Sequence, residues 1–251
     1  MAEPSDPLVR EVALLLEKKP RISVLTGAGV SAASGIPTFR DAQGLWEGVP
    51  PEDVATPQAF ARNPGFVWRF YDERRRRLLE CHPNRGHEVL AAWSRRYPDF
   101  SLITQNVDGL HELAGTANVT RFHGSLWDVG CWEECVASPH RWRDETVPFP
   151  SLPPVCPYCG GSLRPGVVWF GEGIDPHVVQ KAEAATRCDL FFTIGTSAVV
   201  FPAADLIFQA QRHGATVIEI NPEKTPASSR VDLFLQGNSE IVLDRIEALL
   251  G

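Results

Sequence analysis

The chain has no excess of positive charge. Its 24 lysines and arginines are outnumbered by 31 acidic residues, for a formal net charge of −7. That excludes a broad basic face for nucleic acid and suits basic protein or peptide partners. No apolar run approaches the ~20 residues of a membrane helix, so no membrane partner is expected. Internal repeats and low-complexity tracts are missing, which excludes solenoids and arrays. Met1–Ala2–Glu3–Pro4–Ser5–Asp6 follows neither a signal-peptide nor a transit pattern, so a cytoplasmic setting is expected. The 251 residues suit one α/β domain, or a core carrying an inserted module.

The chain is organised around residues 21–41. The apolar run Ile22–Ser23–Val24–Leu25–Thr26 breaks into Gly27–Ala28–Gly29–Val30–Ser31–Ala32. This predicts a buried strand delivering its C-terminal end to a glycine-rich turn. Gly27, Gly29 and Ala32 fit G-x-G-x-x-G/A, a spacing that lets backbone N–H groups approach a pyrophosphate. A strand–glycine–helix turn is also common as plain structure. A hydride-transferring unit would run on to a second strand and an acidic ribose partner about 20 residues later. Here Pro37 interrupts, and Phe39–Arg40–Asp41 lead to Gln43–Gly44–Leu45–Trp46, which reads as a long ligand-covering loop.

Periodicity predicts helices over 7–18, 66–79, 84–97, 177–187, 202–211 and 240–250. It predicts strands over 21–26, 100–104, 118–122, 190–194, 215–220 and 231–235, with 49–64 irregular or short-helical. The strands end in polar or small groups: Gln105–Asn106–Val107–Asp108, His123–Gly124, Gly195–Thr196–Ser197, Asn221–Pro222–Glu223 and, after the last, Gln236–Gly237–Asn238–Ser239. Alternating strands and helices with such endings predict a doubly wound parallel sheet, its ligand at the strand C-termini. Residues 163–172 read as extended, either an ordinary core strand or an edge for a peptide. Tyr71 and Arg74 share a helix face. On their own they read as a half-buried aromatic and one arginine of a solvated run.

Cys131-x3-Cys135 and Cys156-x2-Cys159, some twenty residues apart, have the spacing of a thiolate zinc site. His140 is an alternative ligand, but four thiolates are the simpler assignment. A closed four-Cys site has no open position, so the Zn²⁺ would be structural. The acidic and aromatic residues between the pairs weaken the rival reading, a nucleic-acid zinc ribbon.

From about Arg21 to Ser239 these motifs resemble the sirtuins, NAD-dependent protein deacylases, in order and spacing. Tyr71-x-x-Arg74, Ala55–Thr56–Pro57 and Val167–Val168–Trp169–Phe170 look like the class III branch typified by sirtuin-5. Cys-x3-Cys and Gly166, where a bulkier His is usual, depart from that branch. The resemblance implies a single catalytic domain with three parts. A Rossmann-type core would hold 1–44, 99–124 and 165–251, a helical and cofactor-loop module 45–98, and a zinc module 125–164. It implies that Gly27, Ala28, Gly29, Ser31, Phe39, Arg40 and Trp46 surround the pyrophosphate and nicotinamide ribose. Ile36 and Asp108 would hold the nicotinamide amide, and Gln105 and Asn106 the ribose. Gly195, Thr196, Ser197, Asn221, Pro222, Glu223 and Ser239 would line the adenosine end. Ala55, Tyr71, Arg74, Val168, Trp169, Phe170 and Gly171 would meet the acyl-lysine. His123, with Asn106, would be catalytic.

The implied reaction consumes NAD⁺: the acyl carbonyl oxygen attacks ribose C1′ and nicotinamide leaves. His123 then takes a proton from a ribose hydroxyl, and the products are free lysine and O-acyl-ADP-ribose. An imidazole of pKa near 6.5 suits that role. Burying the carboxylate of a succinyl, malonyl or glutaryl group unpaired costs several kcal/mol, and an Arg fork with a phenol hydroxyl supplies partners. Acidic acyl-lysines, with acetyl-lysine a weaker substrate, are therefore the expected partners of a monomeric enzyme. The alternative is an NAD-dependent mono-ADP-ribosyltransferase or NAD glycohydrolase, which has no use for Tyr71 and Arg74.

Overall fold

The computed structural model describes residues 6–38 and 48–251. Helix α1 (Asp6–Glu17) leads into strand β1 (Ile22–Thr26) and a 3-10 turn, Ala28–Ser34. Three helices follow, α2 (Pro51–Val54), α3 (Pro57–Arg62) and α4 (Pro64–Leu78). Each starts with a proline, whose missing N–H costs nothing at a helix start. Thr56 and Asn63 cap α3 and α4 by accepting from the N–H groups of Ala59 and Phe66, both at 3.1 Å. Next come α5 (Arg85–Arg96), β2 (Phe100–Thr104), α6 (Leu110–Leu113), β3 (Val119–Arg121), β4 (Gly124–Cys131), β5 (Trp142–Arg143) and β6 (Leu163–Val167). The chain closes with α7 (Pro176–Ala185), β7 (Leu190–Ile194), α8 (Asp205–Arg212), β8 (Thr216–Asn221), β9 (Leu233–Gln236) and α9 (Ser239–Glu247).

Six strands form one parallel sheet in the order β3-β2-β1-β7-β8-β9. Every residue of β1 and of β7 is buried, because helices cover both faces. Alternation sorts the side chains. Ile22, Val24, Leu102, Phe192 and Ile218 pack with apolar residues of α1, α5 and α9. Leu25, Ile103, Phe191 and Val217 pack with those of α7 and α8 on the opposite face.

The sheet runs outward from β1 in both directions, so the crevice between β1 and β7 is the point where strand order reverses. Two insertions hang over that end. One follows β1 and carries α2–α4; the other follows β3 and carries the antiparallel sheet β5-β4-β6. They share a core of Phe60, Trp68, Tyr71, Val129, Leu163 and Trp169. The sequence reading returned the chain to the main core at 165, yet Pro165–Val167 pair with β4 in the small sheet. Among the described residues no helix is long and apolar enough to cross a membrane.

Candidate active site

The turns after β1 and β7 lock together. Gly27 N–H donates to the Ile194 carbonyl at 3.0 Å, and Gly29 N–H to the Gly195 carbonyl at 2.8 Å. A Cβ at Gly27 would lie 2.7 Å from Gly195 O, and one at Gly29 2.7 Å from Gly195 Cα. These two glycines therefore serve backbone contact within the protein, and both N–H groups are already bonded. Both glycines nevertheless line the cavity described below.

Beneath this turn lies a buried polar network. Ser31 Oγ donates to Asp108 Oδ2 at 2.8 Å, and Asn106 Nδ2 donates to Gly27 O at 3.0 Å and Ser31 Oγ at 3.2 Å. Gln105 Nε2 donates to Thr196 Oγ1 at 2.9 Å. With both amide N–H groups turned inward, Gln105 and Asn106 offer their carbonyl oxygens to a ligand, which suits ribose hydroxyls. Burial raises the Asp108 carboxyl pKa, opposed by hydrogen bonds from Leu110 N–H and Ser31. On the β8 side, Asn221 Nδ2 donates to Thr196 O at 2.7 Å, and the buried Glu219 accepts from Thr225 and Ser228 hydroxyls.

His123 follows β3. Its Nδ1 lies 3.2 Å from the Gln105 carbonyl. A carbonyl can only accept, so Nδ1 carries the proton and Nε2 keeps its lone pair. Burial lowers the imidazole pKa, and the Gln105 bond opposes that in part. The ring is thus held neutral, in the tautomer a general base needs.

One cavity of about 970 Å³ joins these parts. Gly27, Ala28, Gly29, Ile36, Gln105, Asn106, Asp108, Gly195, Thr196, Ser197, Asn221, Pro222 and Glu223 line one end. Ala55, Tyr71, Arg74, Val168, Trp169, Phe170 and Gly171 line the other, and His123 also lines the cavity. Ser31 and Ser239 do not line it. Ser31 acts from beneath, and the buried Ser239 Oγ has no partner among the described residues. Phe39, Arg40 and Trp46 lie outside the described residues.

Tyr71 and Arg74 are not on a solvated face. Tyr71 is buried, its hydroxyl accepts from Trp169 Nε1–H at 3.0 Å, and its pKa is raised to about 12 by burial, against the nearby Arg74 charge. Arg74 is half-buried, its guanidinium 5.3 Å from the Phe70 ring centroid. The 168–172 segment is held by backbone bonds from Val168 N–H to His123 O and from Phe170 N–H to Ala55 O, both 2.9 Å.

The sulfurs of Cys131, Cys135, Cys156 and Cys159 all lie within 4.8 Å of one another. Cys131–Cys159 is 3.6 Å and Cys135–Cys156 is 4.0 Å. A tetrahedron of sulfurs around zinc has edges of about 3.8 Å, so the four fit one ion. The extra residue of Cys-x3-Cys is absorbed by Glu134, which takes a left-handed φ of 49°. His140 is exposed and outside the cluster. Gly166 is no groove edge. It is buried in β6 opposite a β4 bulge, and a Cβ there would lie 2.5 Å from Asp128 Cβ.

The sequence reading missed His87 and His111, whose ring centroids lie 4.8 Å apart with the planes tilted by 57°, behind Ser31 and Thr26. It also missed the wall formed by Val199, Val200, Phe201 and Pro202. An apolar run directly after the Gly195–Ser197 turn was the available signal for that wall.

Residues 27–202 match the model of the Sir2 family. An NAD-dependent protein deacylase of Aquifex aeolicus is 46% identical over 226 residues, covering 90% of this chain and 93% of that one. NAD-dependent protein deacylase 1 of Archaeoglobus fulgidus is 46% identical over 224 residues, covering 88% and 89%. A mutant Sir2 homologue solved with ADP-ribose superposes with a TM-score of 0.87 at 40% identity, covering 98% of this chain and 96% of that one. A Sir2 homologue–NAD complex superposes at 0.86, with 40% identity and 98% and 93% coverage. With the reversed-order parallel sheet, the interlocked glycine turns and the four-sulfur module in place, the chain belongs to the Sir2 family.

Proposed function

We propose that this Sir2-family enzyme, an NAD-dependent protein deacylase, prefers lysines whose acyl group ends in a carboxylate: succinyl, malonyl and glutaryl before acetyl. The observation that carries this reading is that Arg74 and Tyr71 line the same cavity as His123. A guanidinium beside a phenol hydroxyl at the acyl end gives a buried carboxylate charge-assisted partners. An acetyl group carries no carboxylate for this pair to meet. Ala55, with its small side chain, leaves room for the longer tail.

NAD fits the other end. Its relatives' complexes hold NAD or ADP-ribose, and here Gln105 and Asn106 offer acceptors while Asn221 and Glu223 line the far wall. When bound, NAD⁺ supplies an electrophilic ribose carbon and nicotinamide as leaving group. Val168 and Trp169 form part of the wall along which the acyl-lysine carbonyl would lie. His123 Nε2 would accept the proton of a ribose hydroxyl, whose oxygen then bonds to the acyl carbon as that carbon's bond to the lysine nitrogen breaks. Asn106 fixes the turn on which the ribose rests. The sulfur cluster would hold a structural zinc ion, since all four ligand positions come from protein.

The test is kcat/KM for acetyl-, malonyl-, succinyl- and glutaryl-lysine versions of one peptide with NAD⁺. The expected result is an advantage of at least about tenfold for an acidic acyl group, as one desolvated charge pair implies. Equal values, or a preference for acetyl, overturn the reading. Mass spectrometry of the products separates O-acyl-ADP-ribose from ADP-ribosylated protein or free ADP-ribose.

A further inference from the structure

Arg164 does not line the cavity, yet it holds the acyl end together. Its guanidinium is almost fully buried and forks onto Glu172, with Nη1–Oε1 at 2.5 Å and Nη2–Oε2 at 2.8 Å. It also donates to Val167 O at 3.2 Å and stacks 3.9 Å from the centre of the Trp169 ring. Glu172 Oε2 in turn accepts from Trp169 N–H at 2.8 Å. One ion pair thus grips Trp169 twice, at its backbone and on its ring face. The free edge of that ring donates Nε1–H to the Tyr71 hydroxyl. A hydroxyl that accepts from the indole has its own O–H directed away from it.

We infer that Arg164 and Glu172 are positioning residues for acyl-group selectivity. They act through Trp169, whose Nε1–H aims the Tyr71 hydroxyl proton at the acyl tail. The inference rests on the acidic-acyl reading above. A guanidinium fork is planar and directional, so lysine is no substitute for it. A buried ion pair is weak support for stability alone, which makes a role in specificity the more informative account of this one.

The test measures kcat/KM for succinyl- and acetyl-lysine peptides in five proteins: wild type, Arg164→Lys, Trp169→Phe, Tyr71→Phe, and Trp169→Phe combined with Tyr71→Phe. Circular dichroism and zinc content check that each is folded. We expect Trp169→Phe to lower the succinyl-to-acetyl ratio about three- to tenfold, mainly through the succinyl KM. That is the size of one hydrogen bond to a group that meets a charge. Arg164→Lys should move the ratio in the same direction. The double variant should match Tyr71→Phe alone, because both changes remove the same oriented proton. A merely structural role would lower both substrates together and leave the ratio fixed. An unchanged ratio in a wild type that does prefer succinyl, or multiplicative losses in the double variant, overturns this inference alone. A wild type with no acidic preference overturns both readings. If Arg164→Lys does not fold, the Trp169 and Tyr71 variants still decide the matter.

Discussion

The two ends of the cavity are built differently. At the dinucleotide end, backbone meets backbone: three glycines from two adjacent parallel strands interlock, and Gln105, Asn106 and Asn221 turn their amide N–H groups into the protein. At the end proposed for the acyl group, side chains meet. Tyr71 and Arg74 come from α4, Ala55 from the end of α2, and Trp169 from the segment after β6. The first end is assembled at the C-terminal ends of four strands of one parallel sheet. The second depends on two insertions packing against each other. Substitutions at the first should therefore affect every substrate alike, and substitutions at the second should change which substrate is chosen.

His123 sits between the two ends and should respond as part of the chemistry common to both. His123→Ala should reduce deacylation of succinyl and acetyl peptides by about 10²- to 10⁴-fold, the usual contribution of a general base. NAD⁺ affinity, measured by calorimetry, should change little. Retained turnover with either acyl group would remove His123 from the mechanism.

Gly195→Ala should damage the dinucleotide end as a whole. Gly195 has φ +59°, and an added Cβ would lie 2.6 Å from the Val30 nitrogen, so backbone has to move. The expected cost is about 3 kcal/mol in urea unfolding, with NAD⁺ binding weakened for all acyl substrates. Gly171 at the acyl end also has a positive φ, +85°, but a Cβ there meets nothing within 4 Å. Gly171→Ala should cost only the conformational penalty, about 1–2 kcal/mol. Equal costs at the two positions would break the contrast between interlocked and open turns.

Arg74→Met sharpens the comparison from the other side. It should lower the succinyl-to-acetyl ratio of kcat/KM about 10²-fold, the loss expected when a buried carboxylate loses its charged partner. A parallel fall for both acyl groups would mean that Arg74 supports the fold and does not choose the substrate.

The same division explains what was legible in the sequence. The glycine spacing, the polar strand ends and the cysteine pairs are local patterns, and each marked a real structural position: the β1–β7 crevice, the cavity floor and the sulfur cluster. The reason for the glycines was not legible, because their partner, Gly195, is distant in the chain. Nor was the direction of Arg74, since a run of four arginines looks alike on a helix of any orientation. That direction is set by the next stripe of α4. Asp72 accepts from Phe149 N–H at 3.0 Å, and Arg75 is buried against Trp127 and Phe149, donating to carbonyls of Asp144 and Thr146. With that stripe fixed on the zinc-module loop, Tyr71 and Arg74 turn towards the cavity. The paired histidines were missed because His87 and His111 come from separate helices and meet only in the folded core.

Those histidines give an effect that is read by pH, in stability and not in the choice of substrate. Burial lowers the pKa of both His87 and His111 to about 3, His87 also feeling the neighbouring His111. In the unfolded chain each titrates near 6.5. Between these values the unfolded state holds protons that the folded state lacks, so stability is full above about pH 6.5 and is lost as pH falls towards 3. The expected slope is about 1.4 kcal/mol per pH unit for each imidazole. At the acyl end the corresponding ionisable group is Glu172. Burial would raise its pKa, but the Arg164 fork and Trp169 N–H outweigh burial and hold it below the usual carboxylate range. Its contribution is kept until pH falls below about 4.5. Moving from pH 7 to 5.5 should therefore lower the unfolding free energy by protonating the unfolded chain, while both folded imidazoles stay neutral and the acyl clamp stays intact. Urea unfolding across that range should show the loss, and His111→Asn should make its slope shallower. The succinyl-to-acetyl ratio should stay constant. A ratio that drifts with pH as fast as the stability does would show that the two ends are not independent.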